Sequence, residues 1–239
     1  MENLEKIKNI IVKTFLWKMI QSIKIWYRFH FFKNNSQWDY HQYIKKHLNY
    51  KNGYYIELGA NDGVRFSNTL YLEKYLNWNG ILIELSNRFN LLKKYRGKNN
   101  KLFNLVCCNF EKKNQIKEYI YANLSTFSKD QFSDKKKLEK YLNHINLSFS
   151  DKFYNFKTQA KPLNDLLIQS QATKIIDFFS LDVEGEELEV LQGINFKEYL
   201  FKFILVEGFD EEVLNFLKEK KYTVLEKLRH DTLFKSELK

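Results

Sequence analysis

From Tyr50 onward, short apolar runs, many of them β-branched and each too brief for a helix, alternate with amphipathic stretches. The runs are Tyr54–Leu58, Ile81–Leu85, Leu102–Cys108, Ile175–Val183 and Phe203–Val206, with Tyr222–Leu228 and Thr232–Phe234 closing the chain. Helical patterns follow them through Leu76, to Arg96, from Glu186 to Leu191 and from Glu211 to Lys220. Strand and helix alternating in this way predict a parallel sheet covered on both faces. A polar, aromatic-rich segment, about 111–161, interrupts the alternation. It reads as an insertion that roofs a site and carries substrate choice.

A hydrophobic share of 44% excludes a disordered chain. One proline and eight glycines exclude Pro-rich and Gly-rich linker classes. The two cysteines, Cys107 and Cys108, are adjacent, which excludes a disulfide framework and reads as two thiols on a buried strand in a reducing compartment. The net charge of +10 is almost all lysine, with only five arginines. Lysine is a solvated point charge without the bidentate fork that phosphate recognition favours. The wealth of Lys, Asn, Ile, Tyr and Phe points to A/T-rich codons, so base composition accounts for the charge as well as an anionic partner does.

Residues 1–50 read as an N-terminal helical extension and 51–239 as the main domain. Ile7–Phe32 is apolar over a wide face, with Lys8, Lys13, Lys18, Lys24 and Arg28 interrupting it. No uncharged run approaches the roughly 18 residues of a membrane span, and no cleavage-site pattern of a signal peptide is present. Two roles are open: packing on the main domain or a second subunit, or lying in the interface of an anionic membrane with Trp17 and Trp26 at headgroup depth. The expected location is cytoplasmic, with peripheral contact at the membrane inner face under the second role.

Four motifs carry chemistry. In Tyr54–Gly63, Glu57 ends an apolar strand, Gly59 permits a turn, and Gly63 lets the next helix start close to a ligand above it. Asn79–Leu85 is a turn and a buried strand ending in Glu84, the place where a nucleotide-binding fold holds ribose hydroxyls. Ile175–Gly193 is a strand that delivers Asp182 and Glu184 two residues apart, hence on one face of an extended chain. Gly185 then breaks the strand, and Glu186 and Glu187 suit a helix N-terminus. Ile204–Gly208 repeats the strand–acid–glycine theme with Glu207. Asp182, Glu184 and Glu207 together are candidates for a divalent cation site or a proton acceptor, the alternative being that each holds loop amides.

Ile56–Gly63, Gly80–Glu84, Lys161–Leu167 and Leu181–Gly193 together resemble the FkbM-type methyltransferases, in that family's order, from about residue 53 to 207. The resemblance implies an α/β, Rossmann-like class I methyltransferase fold: a mostly parallel seven-stranded sheet flanked by helices. It implies S-adenosylmethionine as cofactor and methylation of a hydroxyl on a sugar, glycan or small-molecule acceptor. It also implies that Glu57, Gly59, Ala60, Asn61 and Gly63 surround the cofactor's methionine part and that Glu84 holds its ribose. The family's usual Glu-Pro after the second strand is replaced by Glu84-Leu85, and its strand-end acid by Cys108-Asn109-Phe110, which leaves Asn109 as the adenine candidate.

The expected reaction is in-line methyl transfer with Asp182 taking the acceptor's proton, supported by Glu184 and Glu207. His144 and His230 are fallback bases. The absence of Asn/Asp-Pro-Pro-Tyr favours oxygen over an exocyclic nitrogen. Rival readings are an RNA ribose methyltransferase and an inactive methyltransferase-fold scaffold or membrane adaptor. A nicotinamide-dependent oxidoreductase is disfavoured, because Gly59–Gly63 lacks the Gly-x-Gly-x-x-Gly spacing. The apolar N-terminus makes self-association an additional expectation.

Overall fold

The computed structural model describes residues 15–36, 40–122, 125–131, 138 and 154–238. These fall in two compact units, Met1–Lys33 with Glu118–Phe156, and Asn34–Lys117 with Lys157–Lys239. In chain order the first elements are α1 (Phe15–Phe31), α2 (Tyr40–Leu48), β1 (Tyr54–Leu58), α3 (Leu70–Leu76), β2 (Asn79–Ile83) and α4 (Phe89–Arg96). Then come β3 (Lys101–Phe103), β4 (Val106–Cys108), β5 (Ile116–Ala122), β6 (Ser125–Ser128), β7 (Tyr154–Pro162) and α5 (Leu163–Gln169). The chain closes with β8 (Ile175–Leu181), α6 (Glu187–Gln192), β9 (Leu200–Glu207), α7 (Glu211–Glu219), β10 (Tyr222–Lys227) and β11 (Asp231–Ser236).

The larger unit is built on a seven-stranded mixed sheet in the order β10-β11-β9-β8-β1-β2-β3. From β3 to β9 neighbouring strands run parallel, and β11 is antiparallel to both β9 and β10. The reversal follows from chain length. Only Leu228, Arg229 and His230 separate β10 from β11, far too few for a parallel crossover.

Alternate residues of each strand feed opposite faces. One core combines Ile56, Ile81, Phe179 and Ile204 with apolar residues of α5, α6 and α7. The other combines Tyr55, Leu82, Phe178 and Leu205 with α2, α3 and α4. α2 belongs to this second core: Tyr40, Ile44 and Leu48, four residues apart, are all buried in it. The helices expected within residues 1–50 therefore differ in where they lie, α1 in the smaller unit and α2 in the larger.

The run Leu102–Cys108, expected as one strand, is two. β3 stays in the main sheet, whereas β4 pairs in parallel with Ala160–Pro162 of β7. At the break the Asn104 amide donates to the carbonyls of Glu84 (2.8 Å) and Leu85 (3.1 Å), which turns the chain away from the sheet. Cys107 and Cys108 are buried free thiols, and burial pushes Cys108 up to about 11, so neither is an available thiolate near neutrality. In the smaller unit β5 and β6 form an antiparallel pair. Residues 123–124, 132–137 and 139–153 of the expected insertion lie outside the described residues, as do 7–14 of the N-terminal run and the side chain of Trp17.

Candidate active site

β1 lies between β8 and β2, so the sheet grows outward in both directions from β1 and β8, the topological switch point where open α/β sheets bind ligands. There the Asp182 N–H donates to Leu58 O (3.1 Å), and the N–H groups of Gly59 and Ala60 both donate to Ile83 O (3.0 Å). Gly59 has φ +87, and a Cβ on it would lie 2.0 Å from the Asp182 carbonyl oxygen. No other residue fits.

Glu84, at the end of β2, fixes the next turn: its carboxylate accepts from the N–H of Asn61 and of Ser86, each at 2.7 Å. Asn61 is in the left-handed region at φ +48. On this loop the Asn61 Oδ1, Asn68 Oδ1 and Arg65 Nη2 atoms are buried without a hydrogen-bond partner among the described residues. Two acceptors and a cationic donor left open on one loop match the ammonium and carboxylate of an amino acid. Arg65 and Asn68 carry no sequence signature of their own; Arg65 is held by its ion pair with Asp62 (2.6 Å), and Asn68 donates to Ser180 (3.0 Å).

Beneath the loop, Glu57 turns inward rather than toward a ligand. It accepts from Ser67 (2.9 Å), Thr69 (2.7 Å) and the Asn68 N–H (2.7 Å), and Arg96 stands 3.8 Å away. Burial pushes the Glu57 carboxyl up, and Arg96 and the loop donors oppose that. Arg96 is fully buried and donates to Glu73, Gly63 O (2.9 Å), Ser67 (3.1 Å), Tyr55 (2.8 Å) and Thr69 (2.9 Å). All five of its donors are engaged. A Cβ on Gly63, which has φ +76, would meet Arg96 Cγ and Leu92 Cδ1 at 2.7 Å each. The requirement for glycine there comes from α4 packing from below, in place of the expected close approach to a ligand above.

The acids of β8, β9 and β11 converge on the other side of Asp182. Burial first, then the charge of the neighbouring Glu207 carboxylate, raises the Asp182 carboxyl well above the carboxylate range. Glu184 and Asp231 add to that negative field. β8 ends at Leu181 and Glu184 is left-handed at φ +58, so the expected two-residue strand repeat from Asp182 to Glu184 does not operate. Asp231, which sequence reasoning missed, is the cross-strand partner of Glu207. Tyr40 of α2 accepts the His230 N–H at 3.1 Å, and its hydroxyl opposes the rise of the Asp231 carboxyl.

Burial first, then the Glu207 charge, pushes Asp231 up to about 7. An acid raised above its unfolded value of about 4 binds its proton more tightly when folded. Its stabilising contribution is full below about pH 4 and is lost as pH rises to about 7. The melting temperature is therefore expected to fall between about pH 5 and pH 8, and Asp231→Asn, which keeps an acceptor for Tyr40, to flatten that slope and gain about 1–3 kcal/mol at the alkaline end. Thermal melts of both proteins across that range check this.

Other candidates have structural partners. Asn109 accepts the Lys112 N–H at 3.0 Å, capping the short turn Phe110–Lys112. Glu187 accepts from the N–H groups of Val183 and Gly185 (3.1 Å each) and so ties down the loop that carries Asp182 and Glu184. Glu186 and Glu189 hold the buried ammonium of Lys117 at 2.6 and 3.0 Å. His230 is exposed, and His144 lies outside the described residues. Among the described residues no three His, Cys, Asp or Glu side chains are grouped to hold a metal ion. The expected set Asp182, Glu184 and Glu207 does not form such a group.

The glycine turn, the acid after β2 and the acids at the ends of β8 and β9 lie at the switch point, where open α/β sheets bind ligands. The methyltransferase FkbM domain model matches residues 57–224, well over half of the chain, and the chain belongs to that family. It is a methyltransferase, and membership implies S-adenosylmethionine as the methyl donor. No curated protein matches the chain in sequence. Among solved structures it is similar to the METTL16 MTase domain, at 14% identity over 84% of this chain and 67% of that one, with a TM-score of 0.44. It is also similar to precorrin-6y C5,15-methyltransferase from Geobacter metallireducens GS-15, at 9% identity, 81% and 86% coverage and a TM-score of 0.40. For human methyltransferase 10 domain containing protein the figures are 14%, 84%, 80% and 0.39.

Proposed function

We propose that the enzyme methylates a hydroxyl oxygen of a sugar, glycan or small-molecule acceptor. The observation that carries this reading is the Asp182–Glu207 carboxyl pair beside the glycine turn. When bound, S-adenosylmethionine supplies an activated methyl group on a sulfonium. The chain's own work is to orient the acceptor and take its proton. A carboxyl raised by burial and by a neighbouring charge is a stronger acceptor once ionised, and Asp182 has that environment. Glu84 is the ribose ligand, with acceptor capacity left beside its two backbone bonds. Asn61 and Asn68 face the cofactor's ammonium and Arg65 its carboxylate, consistent with their open polar atoms.

Calorimetric titration with S-adenosylhomocysteine tests the cofactor assignment. The wild-type protein is expected to bind, and Glu84→Ala to bind at least about tenfold more weakly, since it removes charge-assisted hydrogen bonds worth roughly 1.5–3 kcal/mol each. Folded wild-type protein that ignores the ligand would overturn the reading.

A further inference from the structure

We infer that α1 is a docking surface for an anionic lipid bilayer. Met19, Ile23, Trp26, Tyr27 and Phe31 recur at helical spacing along one face, and they are 44%, 59%, 48%, 52% and 62% exposed. Ile25, on the opposite side, is buried. Five large apolar side chains in one exposed stripe are what the surface of a soluble monomer avoids. The rings are already assembled into a ridge, with Tyr27 and Phe31 centroids 4.8 Å apart and Trp26 and His30 centroids 4.5 Å apart.

Charge selects the occupant. Between Glu5 and Asp39 the sequence holds seven Lys and Arg and not one Asp or Glu. Lys24 and Arg28 follow the apolar stripe along one edge of the helix, as in helices that lie in a headgroup layer. A second copy of the same segment would set like charge against like charge, whereas an anionic bilayer offers apolar depth and counter-charge together. Trp and Tyr suit that boundary because each has an apolar body and a polar tip. No described helix is long and apolar enough to cross a membrane, so α1 lies in the interface.

Cosedimentation of the full chain with vesicles tests this independently of the acceptor. Binding is expected to phosphatidylcholine vesicles containing one quarter phosphatidylglycerol, and to be at least about tenfold weaker to phosphatidylcholine alone or in high salt. The double variant Ile23→Ser/Trp26→Ser should lose about tenfold or more in affinity for the anionic vesicles, with an unchanged melting temperature because both side chains are exposed. Lys24→Glu keeps the apolar stripe and should weaken the anionic preference alone. Unaltered binding by the double variant, no binding to either vesicle, or a concentration-dependent dimer that the double variant dissolves would each overturn the inference.

Discussion

Arg96→Met is expected to destabilise the fold by about 3–5 kcal/mol, because it leaves buried carboxylates without their cation. Methionine fills much of the same space, so the loss comes from charge and hydrogen bonding rather than from a cavity. Glu57 and Glu73 would both lose the guanidinium, and Gly63 O, Ser67, Tyr55 and Thr69 would each lose a donor. For a domain of this size the expected fall in melting temperature is roughly 10 °C. S-adenosylhomocysteine binding should fall with it, since the same side chain braces the loop from Gly63 to Thr69. Arg96→Lys is expected to rescue little, as a point charge on a flexible stem cannot serve five acceptors at once. Melting within a degree or two of wild type would show that the network contributes no net stability.

Asp182→Asn is expected to lower kcat by about 10²–10⁴, the range for losing a general base, with S-adenosylhomocysteine affinity unchanged within about twofold. The amide keeps the volume and can still donate to Glu207, so the site should stay assembled. The pH profile is the sharper readout. Wild-type kcat should rise with pH as Asp182 loses the proton that its surroundings hold on it, and the variant should lack that limb. A variant that transfers methyl groups at the wild-type rate would remove Asp182 from the chemistry.

Much of this architecture is legible in the sequence where the signal is local. The run Tyr54–Leu58, the turn through Gly63 and the acid Glu84 are fixed by strand period, punctuation and spacing, and β1 has the expected bounds. What fails is what depends on contacts distant along the chain. Glu57 ends an apolar strand like a ligand-facing acid, yet its partner Arg96 arrives from the far end of α4. Asp231 faces Glu207 only because β11 inserts between β9 and β10, and Tyr40 reaches it from a helix nearly two hundred residues earlier. The pairing inferred for Asp182 and Glu184 assumed an extended chain beyond Leu181, where the structure turns instead.

The close approach of Gly59 to Asp182 makes a single mechanical joint of two functions. The loop assigned to the cofactor and the residue assigned to the acceptor's proton are clamped across a gap too narrow for one methyl group. Neither can drift without dragging the other. In-line transfer tolerates little misplacement of its reacting atoms, so under the proposed roles this joint would act as an alignment gauge for the two substrates. A bulky or strained substitution at residue 59 would then detune the reaction even where both substrates still bind.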